Sequence, residues 1–589
     1  MLGGKKMLKT LLAQVKQYKK SSLLTPLFAA LEVVMEVLIP FITAMIIDQG
    51  IEAGNMKKVG LYGSIMLVFA MFSLLFGVLA GKYGANASSG LACNLRDAMY
   101  ENIQTFSFSN IDKYSTAGLV TRMTTDVTNV QNAYQMILRI AVRAPFTLIC
   151  SMIMCFVINA KLSLIFVIAI IVLGAFIVVV VKTTMKIFDM VFKKYDALNA
   201  SVQENVSAIR VVKAFVREDY ENKKFITAAE NVYKLFVKAE GILAFNGPVM
   251  MLVVYFCIIC LSWFGAKFIV VGNMTTGELT SMFSYIMSIL MALMMLSMIF
   301  VMTTLSIASG KRIAEVLNDK ADLVNPKNPI MEVNNGSIDF NHVEFTYNDE
   351  AEKDTLIDID LHIHSGETVG IIGGTGCGKS SLVNLISRLY DVNEGSVLVG
   401  GKDVKEYDLE VLRNQVAVVL QKNVLFSGTI LENLRWGNET ATKEECIEAC
   451  KNACADEFIE RFSNKYETYI EQGGSNVSGG QKQRLCIARA LLKKPQILIL
   501  DDSTSAVDTA TDAKIRSVFA KKIPDTTKII IAQRISSVQD ADRILVLDDG
   551  KINGFDTHEN LLKTNEIYQE IYNTQVKGGG DFDQTGGAK

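Results

Sequence analysis

Six apolar runs crowd the first half of this chain, near residues 23–47, 61–82, 138–158, 162–181, 242–264 and 280–305. Each is long enough to cross a bilayer, which takes about 20 residues as a helix. In lipid every backbone polar group must be satisfied internally, so runs of this length are expected to be helical. A length of 589 residues alone would suggest several soluble domains of roughly 150 residues each. The uneven placing of the apolar residues overrules that reading.

Lys5, Lys6, Lys9, Lys16, Lys19 and Lys20 precede or open the first run. That run is too long, and lacks the small-residue cleavage pattern, to be a secretory signal. The lysines are expected to hold the start in the cytoplasm, and six crossings return the C-terminus to the same side. The result is a multi-pass protein of the cell (plasma) membrane. Outer loops around Asp48–Lys57, Asn159–Lys161 and Val271–Gly277 are short, whereas the inner connections 83–137 and 183–241 are long, polar and helix-patterned.

Pro326 and Pro329 mark a linker. Short β-rich runs then alternate with amphipathic helices, with Ile338–Tyr347 and Glu367–Ile372 reading as strands and Lys379–Leu389 as a helix. The expected architecture is a membrane α-helical domain with six spans, residues 1–325, fused to an α/β domain, 326–576. A glycine-rich tail, 577–589, is expected to be flexible. Lys and Arg number 59 against 61 Asp and Glu, so there is no basic excess of the kind nucleic-acid binding requires. The ten cysteines show no zinc-finger spacing and read as reduced thiols. All four histidines follow residue 341, which leaves no histidine proton relay for the membrane half.

Gly373-Gly374-Thr375-Gly376-Cys377-Gly378-Lys379-Ser380, with Ser381 next, follows an apolar strand and opens a helix, the setting that makes a P-loop match specific. Backbone amides there would hold phosphate oxygens, Lys379 would neutralise the β- and γ-phosphates and Ser380 would ligate Mg²⁺. Ile497-Leu498-Ile499-Leu500-Asp501 reads as a buried strand ending in the carboxylate partner of that metal.

Between them lies Asn476-Val477-Ser478-Gly479-Gly480-Gln481, which resembles the signature of ABC ATPases. Gln421 resembles the Q-loop glutamine, Tyr347 the adenine-stacking aromatic, and Ser505-Ala506-Val507-Asp508 the D-loop. Six spans before one such domain resemble an ABC exporter half-transporter of the multidrug and peptide type. The resemblance implies ATP and Mg²⁺ as cofactors, membrane lipid as surroundings, and a hydrophobic or amphipathic small molecule as substrate. It also implies two nucleotide-binding domains closing head to tail, each P-loop facing the partner's Ser-Gly-Gly-Gln.

Two positions depart from the family pattern. The glutamate expected after Asp501 is Asp502, and the switch histidine expected after Ala532 is Gln533. Aspartate is one methylene shorter, placing its carboxylate about 1.5 Å short, enough to cost orders of magnitude in rate. Glutamine is neutral and cannot become a cationic contact. Both departures resemble the degenerate-site chain of heterodimeric bacterial ABC exporters, whose partner supplies the competent glutamate and histidine. Two other readings share these motifs: a slow homodimeric exporter of lipids or peptides, and an ATP-gated channel or regulator. The spans supply no ring of charges for a selectivity filter.

Asn110–Tyr114 and Gly118–Arg122 resemble the first coupling-helix region of such exporters, and Gln203 to Glu218 resembles the stretch following the second. Met287, Met291, Met294, Met298 and Met302 recur at helical spacing. Lipid contact or core packing is the favoured reading, and a cavity for varied apolar ligands the sharper one. Glu32 and Glu36 lie one turn apart in the first span, as do Arg139 and Arg143 in the third. Ion pairing near the inner boundary is favoured over recognition of charged compounds.

Overall fold

The computed structural model describes residues 2–347, 353–503 and 507–578. It divides into two compact units, Met1–Thr105 with Tyr114–Asp319, and Phe106–Lys113 with Lys320–Lys589. The expected tail lies outside the described residues from Gly579 onward.

The first unit is helical. Its long helices are α1 (Lys19–Met45), α2 (Met56–Thr105), α3 (Val127–Ile158), α4 (Ala160–Ser207), α5 (Glu218–Ala244), α6 (Asn246–Val270) and α7 (Thr276–Asn318). Six helical stretches are long and apolar enough to span a membrane: Lys16–Glu52, Met56–Thr105, Thr116–Ile158, Ala160–Phe188, Glu218–Val270 and Thr276–Ile299. The helices overshoot the apolar runs. At 50 residues, α2 reaches about 75 Å at 1.5 Å per residue, far more than a hydrocarbon core of about 30 Å needs.

Packing in this unit rests on large side chains, with a few polar contacts between helices. Val33 and Val37 of α1 pack with Phe166 of α4, Met250 and Leu261 of α6, and Met282 and Ile286 of α7. Fully buried Tyr285 donates its hydroxyl to the Val37 carbonyl at 2.8 Å. Asp126, 1 % exposed, is held by Arg312 through Nε at 2.7 Å and Nη2 at 2.5 Å. The charges of the first and third spans do pair, but unevenly. Arg143 bonds Glu32 at 2.7 Å and Glu36 at 2.9 Å, while Arg139 makes no ion pair among the described residues. The five periodic methionines of α7, Met287, Met291, Met294, Met298 and Met302, are exposed, while Met282, Tyr285, Ile289, Leu290 and Leu293 are buried.

The second unit combines sheets and short helices. An antiparallel sheet runs in the order β2-β1-β4-β5, with β1 Ile338–Phe345, β2 Leu356–Ile363, β4 Glu394–Val399 and β5 Lys402–Asp403. The main sheet runs β12-β11-β3-β10-β9-β6, with β3 Thr368–Gly373, β6 Val416–Val419, β9 Ile497–Asp501, β10 Thr527–Ile531, β11 Arg543–Asp548 and β12 Lys551–Asp556. A two-residue ribbon pairs β7 (Gly428–Thr429) with β8 (Tyr469–Ile470). All five residues of β9 and of β10 are buried, as in a parallel sheet covered on both faces, and they include the polar Thr527, Lys528 and Asp501. The helices used below are α8 (Lys379–Ile386) and α9 (Gly479–Leu492).

Arg312→Met is expected to lower the stability of the first unit by about 3 kcal/mol, because it leaves a buried carboxylate without its cation. Adding Asp126→Asn should recover most of the loss. Melting of the purified protein in detergent checks both, and an unchanged melting temperature for the single variant would contradict the assignment.

Candidate functional site

Strand pairing brings the site together. Ile531 of β10 pairs with Ile371 of β3 on one side and with Asp501 of β9 on the other. β9 and β10 therefore end level with Ile371, β3 runs on to Gly373, and the segments leaving the three parallel strands emerge at the same edge of the sheet. This is where an open α/β sheet places ligands.

The loop from Gly373 to Gly378 joins β3 to α8. A Cβ at Gly373 would stand 2.1 Å from the Leu547 carbonyl oxygen, so only glycine fits against β11. Gly376 and Gly378 adopt φ of 83° and 97°, values that L side chains rarely tolerate. A loop of this conformation, backed by a helix N-terminus, is an anion cradle built from backbone amides. Nothing stands within 4 Å of a Cβ on Gly374 or Gly376, which leaves the mouth clear. Lys379 folds back over the loop, its Nζ donating to the carbonyls of Gly373 at 2.9 Å and Gly374 at 2.6 Å. The Cys377 thiol lies 3.6 Å from the same ammonium.

Ser380 lies close enough to Asp501 to pull its pKa down, so the hydroxyl and the carboxylate expected on Mg²⁺ are already adjacent. Burial raises the Asp501 pKa above the ordinary carboxylate value; the Ser380 hydroxyl opposes this, and the neighbouring Asp502 charge adds to it. Hard oxygen donors of this kind suit a small divalent cation. Loop, ammonium and oxygen pair together fit a magnesium-bound nucleoside triphosphate.

Asp502 follows at φ 46°, with its amide donating to the Ile531 carbonyl at 3.1 Å. Gln533 donates Nε2–H to Asp502 Oδ2 at 2.8 Å, and Gln421 lies close enough to lower the pKa of the same carboxylate. Burial pushes the Asp502 pKa up, while both glutamines, Lys379 and Arg534 pull it down. The two residues that depart from the family pattern therefore bond each other.

Tyr347 sits at the rim, 51 % exposed, with its hydroxyl 2.9 Å from Ser381 Oγ. Its ring stands edge-on to Phe345 at 4.8 Å and to Tyr390 at 5.0 Å. Sequence reasoning missed Tyr390. Its hydroxyl is 2.5 Å from Asp112 and its ring 6.0 Å from Phe108. Burial, and then the Asp112 bond, lift its pKa well above the ordinary tyrosine value. Phe345 and Tyr347 alternate with polar residues in the sequence, but Tyr390 stands after the helix with no periodic signal.

Ser478 caps α9, its Oγ accepting from the Gln481 amide at 3.3 Å while its own amide donates to Gln481 Oε1 at 2.9 Å. This reciprocal pair satisfies two helix-end donors. Ser478 and Gly479 are exposed and Gly480 is half-buried. Among the described residues no hydrogen bond joins Ser478, Gly479, Gly480 or Gln481 to the chain's own P-loop. The structure thus gathers residues 373–381, Gln421, Asp501, Asp502, Gln533 and Tyr347, and leaves the signature facing outward. Thr504, Ser505 and Ala506, with half of the expected D-loop, lie outside the described residues; Asp508 caps the following helix by accepting from Thr511 N at 2.9 Å.

Residues 22–294 match the ABC transporter transmembrane region, and residues 356–505 match the family described as ABC transporter. An uncharacterized ABC transporter ATP-binding protein of Bacillus subtilis is 37% identical over 544 residues, covering 92% of this chain and 94% of its own length. The chain belongs to the ABC transporter family. It is an exporter-type half-transporter, with one membrane unit and one ATP-binding unit. An uncharacterized ABC transporter ATP-binding protein of Mycobacterium bovis is 35% identical, across 97% of this chain and 98% of its own. A protein of Desulfotalea psychrophila named ATP-dependent lipid A-core flippase is 31% identical, across 87% and 89%.

In this half-transporter Lys379→Ala is expected to weaken nucleotide binding at least tenfold, about 1.4 kcal/mol. The melting temperature should hold, since the ammonium bonds loop carbonyls rather than the core. Titration with a fluorescent ATP analogue measures this, and unchanged affinity would remove Lys379 from the binding site.

Proposed function

We propose that this half-transporter binds ATP at its own P-loop but cleaves it poorly, and that it works paired with a different half-transporter. The observation that carries this is the Gln533–Asp502 hydrogen bond at 2.8 Å. A general base must reach the water it activates. Here the carboxylate is short, set on a left-handed residue, with two neutral side-chain amides beside it. Neither glutamine offers the positive charge that would stabilise a developing γ-phosphate anion.

The residues proposed to hold nucleotide are intact: the Gly373–Gly378 loop, Lys379, Ser380, Ser381 and Tyr347, with Asp501, Ser380 and Gln421 around Mg²⁺. ATP hydrolysis supplies the energy of the transport cycle. Ser478, Gly479, Gly480 and Gln481 are proposed to complete the partner's P-loop, the amides of the two glycines and the positive end of α9 meeting phosphate oxygens there. The partner contributes the glutamate and histidine that Asp502 and Gln533 replace.

The substrates we propose are hydrophobic or amphipathic compounds exported across the cell membrane by alternating access, with both termini cytoplasmic. The lysine-rich start supports that orientation, and the exposed methionine face of α7 supports adaptable apolar contacts. The flippase among the relatives makes an amphipathic lipid the second reading of the substrate.

Asp502→Glu combined with Gln533→His is expected to raise ATP cleavage at this chain's P-loop at least tenfold. The measurement is phosphate release by the complex after the partner's own P-loop lysine has been removed. No rise would reject the proposal that these two residues limit the site.

A further inference from the structure

The last helix of the chain reaches back to the nucleotide site. After β12 the chain closes with α10 (His558–Thr564) and α11 (Glu566–Gly578). Fully buried Tyr568 anchors α11: its amide donates to Asn565 Oδ1 at 2.8 Å, and its hydroxyl lies 2.6 Å from His558 Nδ1. Ile571 and Tyr572 pack against the same core. Residues 568, 571, 572 and 575 share one helical face, so burial of the first three turns Gln575 inward, where it is half-buried. Its Nε2–H donates to the Gln533 carbonyl at 2.7 Å, and its Oε1 accepts from the Ile535 amide at 2.8 Å.

A single side-chain amide thus answers an acceptor and a donor two residues apart. Glutamine carries both on one plane, and asparagine would fall a methylene short. The gripped segment is the one that sets the Asp502 contact. Ala532 and Ile535 are buried, whereas Gln533, Arg534 and Ser536 are exposed. A cavity of about 140 Å³, lined by Asp502, Asp512, Gln533 and Ser536 among others, adjoins the segment. Packing leaves the exposed peptides room to shift, and the two bonds from Gln575 fix them. The carbonyl and the side chain of Gln533 hang on one Cα. The bond to Gln575 at 2.7 Å and the bond to Asp502 at 2.8 Å therefore hold one residue at both ends.

We propose that Gln575 is a positioning residue of the nucleotide site. It fixes the backbone of residues 533–535, and with it the direction of side chain 533, so that α11 becomes part of what answers ATP. The assignment rests on the reading above in one respect, that residue 533 stands where the γ-phosphate is met. Coupling between two sites is reciprocal. A nucleotide that holds residue 533 in place tightens the grip of Gln575, and releasing that grip weakens the response of the segment to nucleotide.

Hydrogen–deuterium exchange on the full chain in nanodiscs tests the grip, with and without a non-hydrolysable ATP analogue and Mg²⁺. Gln575→Ala should speed exchange of the peptide covering 532–538 at least tenfold by local opening, leave 527–531 unchanged, and abolish the slowing that the analogue causes in wild type. Gln575→Glu keeps the acceptor for Ile535 but loses the donor to Gln533, and should fall between. Melting curves establish that each variant is folded. Function is read in the assembled transporter carrying Asp502→Glu and Gln533→His. Adding Gln575→Ala there should lower kcat at least tenfold, with KM for ATP within twofold and the number of nucleotide sites unchanged, a number that loss of folded protein would reduce. Gln575→Glu should recover part of the rate. Three results would each overturn the proposal: wild-type exchange in Gln575→Ala, faster exchange with unchanged kcat, and a 532–538 peptide indifferent to the analogue in wild type. If Asp502→Glu with Gln533→His raises no cleavage, the reading of those two residues falls by itself, and survival or loss of the analogue's slowing in Gln575→Ala decides the role of Gln575.

Discussion

Parallel pairing of β3, β10 and β9 is the constraint on which the nucleotide site depends. Because Ile531 is in register with both Ile371 and Asp501, the P-loop, the Asp501-Asp502 pair and Gln533 emerge at the same edge of the sheet. All five residues of β9 and of β10 are buried, and alternate side chains pack into two different core clusters, so a slip by one would exchange the side chains fitted to each. The catalytic positions inherit their geometry from strand burial. What a residue there can do is then a matter of its own chemistry.

At two of those positions the chemistry has changed while the geometry has stayed. Gln533 reaches Asp502 at 2.8 Å, and Gln421 approaches the same carboxylate from another loop. At the two departing positions the contacts place a short carboxylate and a neutral amide beside the P-loop. The proposed reading is that such an arrangement holds a nucleotide more readily than it cleaves it. The signature keeps its reciprocal cap, with Gly479 exposed and Gly480 half-buried, while the position after Asp501 carries the shorter Asp502. The proposed division of labour between two subunits follows from that contrast.

Most of the architecture was legible because it depends on strong, local signals. Apolar runs of membrane length, a glycine loop after a buried strand and a carboxylate closing another strand each have few physical solutions. Ser380 beside Asp501 and the six spans follow from such signals. Helix length beyond the bilayer was less readable, since polar helices carry only weak periodicity, and α2 runs to 50 residues. Contacts between segments distant in sequence were hardest. Tyr390 joins Tyr347 and Asp112, and one arginine serves two glutamates while Arg139 stands aside. Spacing along a helix gives the face of a charge, but not which of two similar partners it meets.

The central claim concerns the fate of one phosphoanhydride bond, and it is tested most directly in the assembled transporter during turnover. ATP carrying a photoreactive base and a label on either the α- or the γ-phosphate can be cross-linked to each subunit and the two labels compared. The account predicts that this chain retains both labels, whereas its partner retains α-label and loses γ-label. Equal loss of γ-label from both subunits would contradict it.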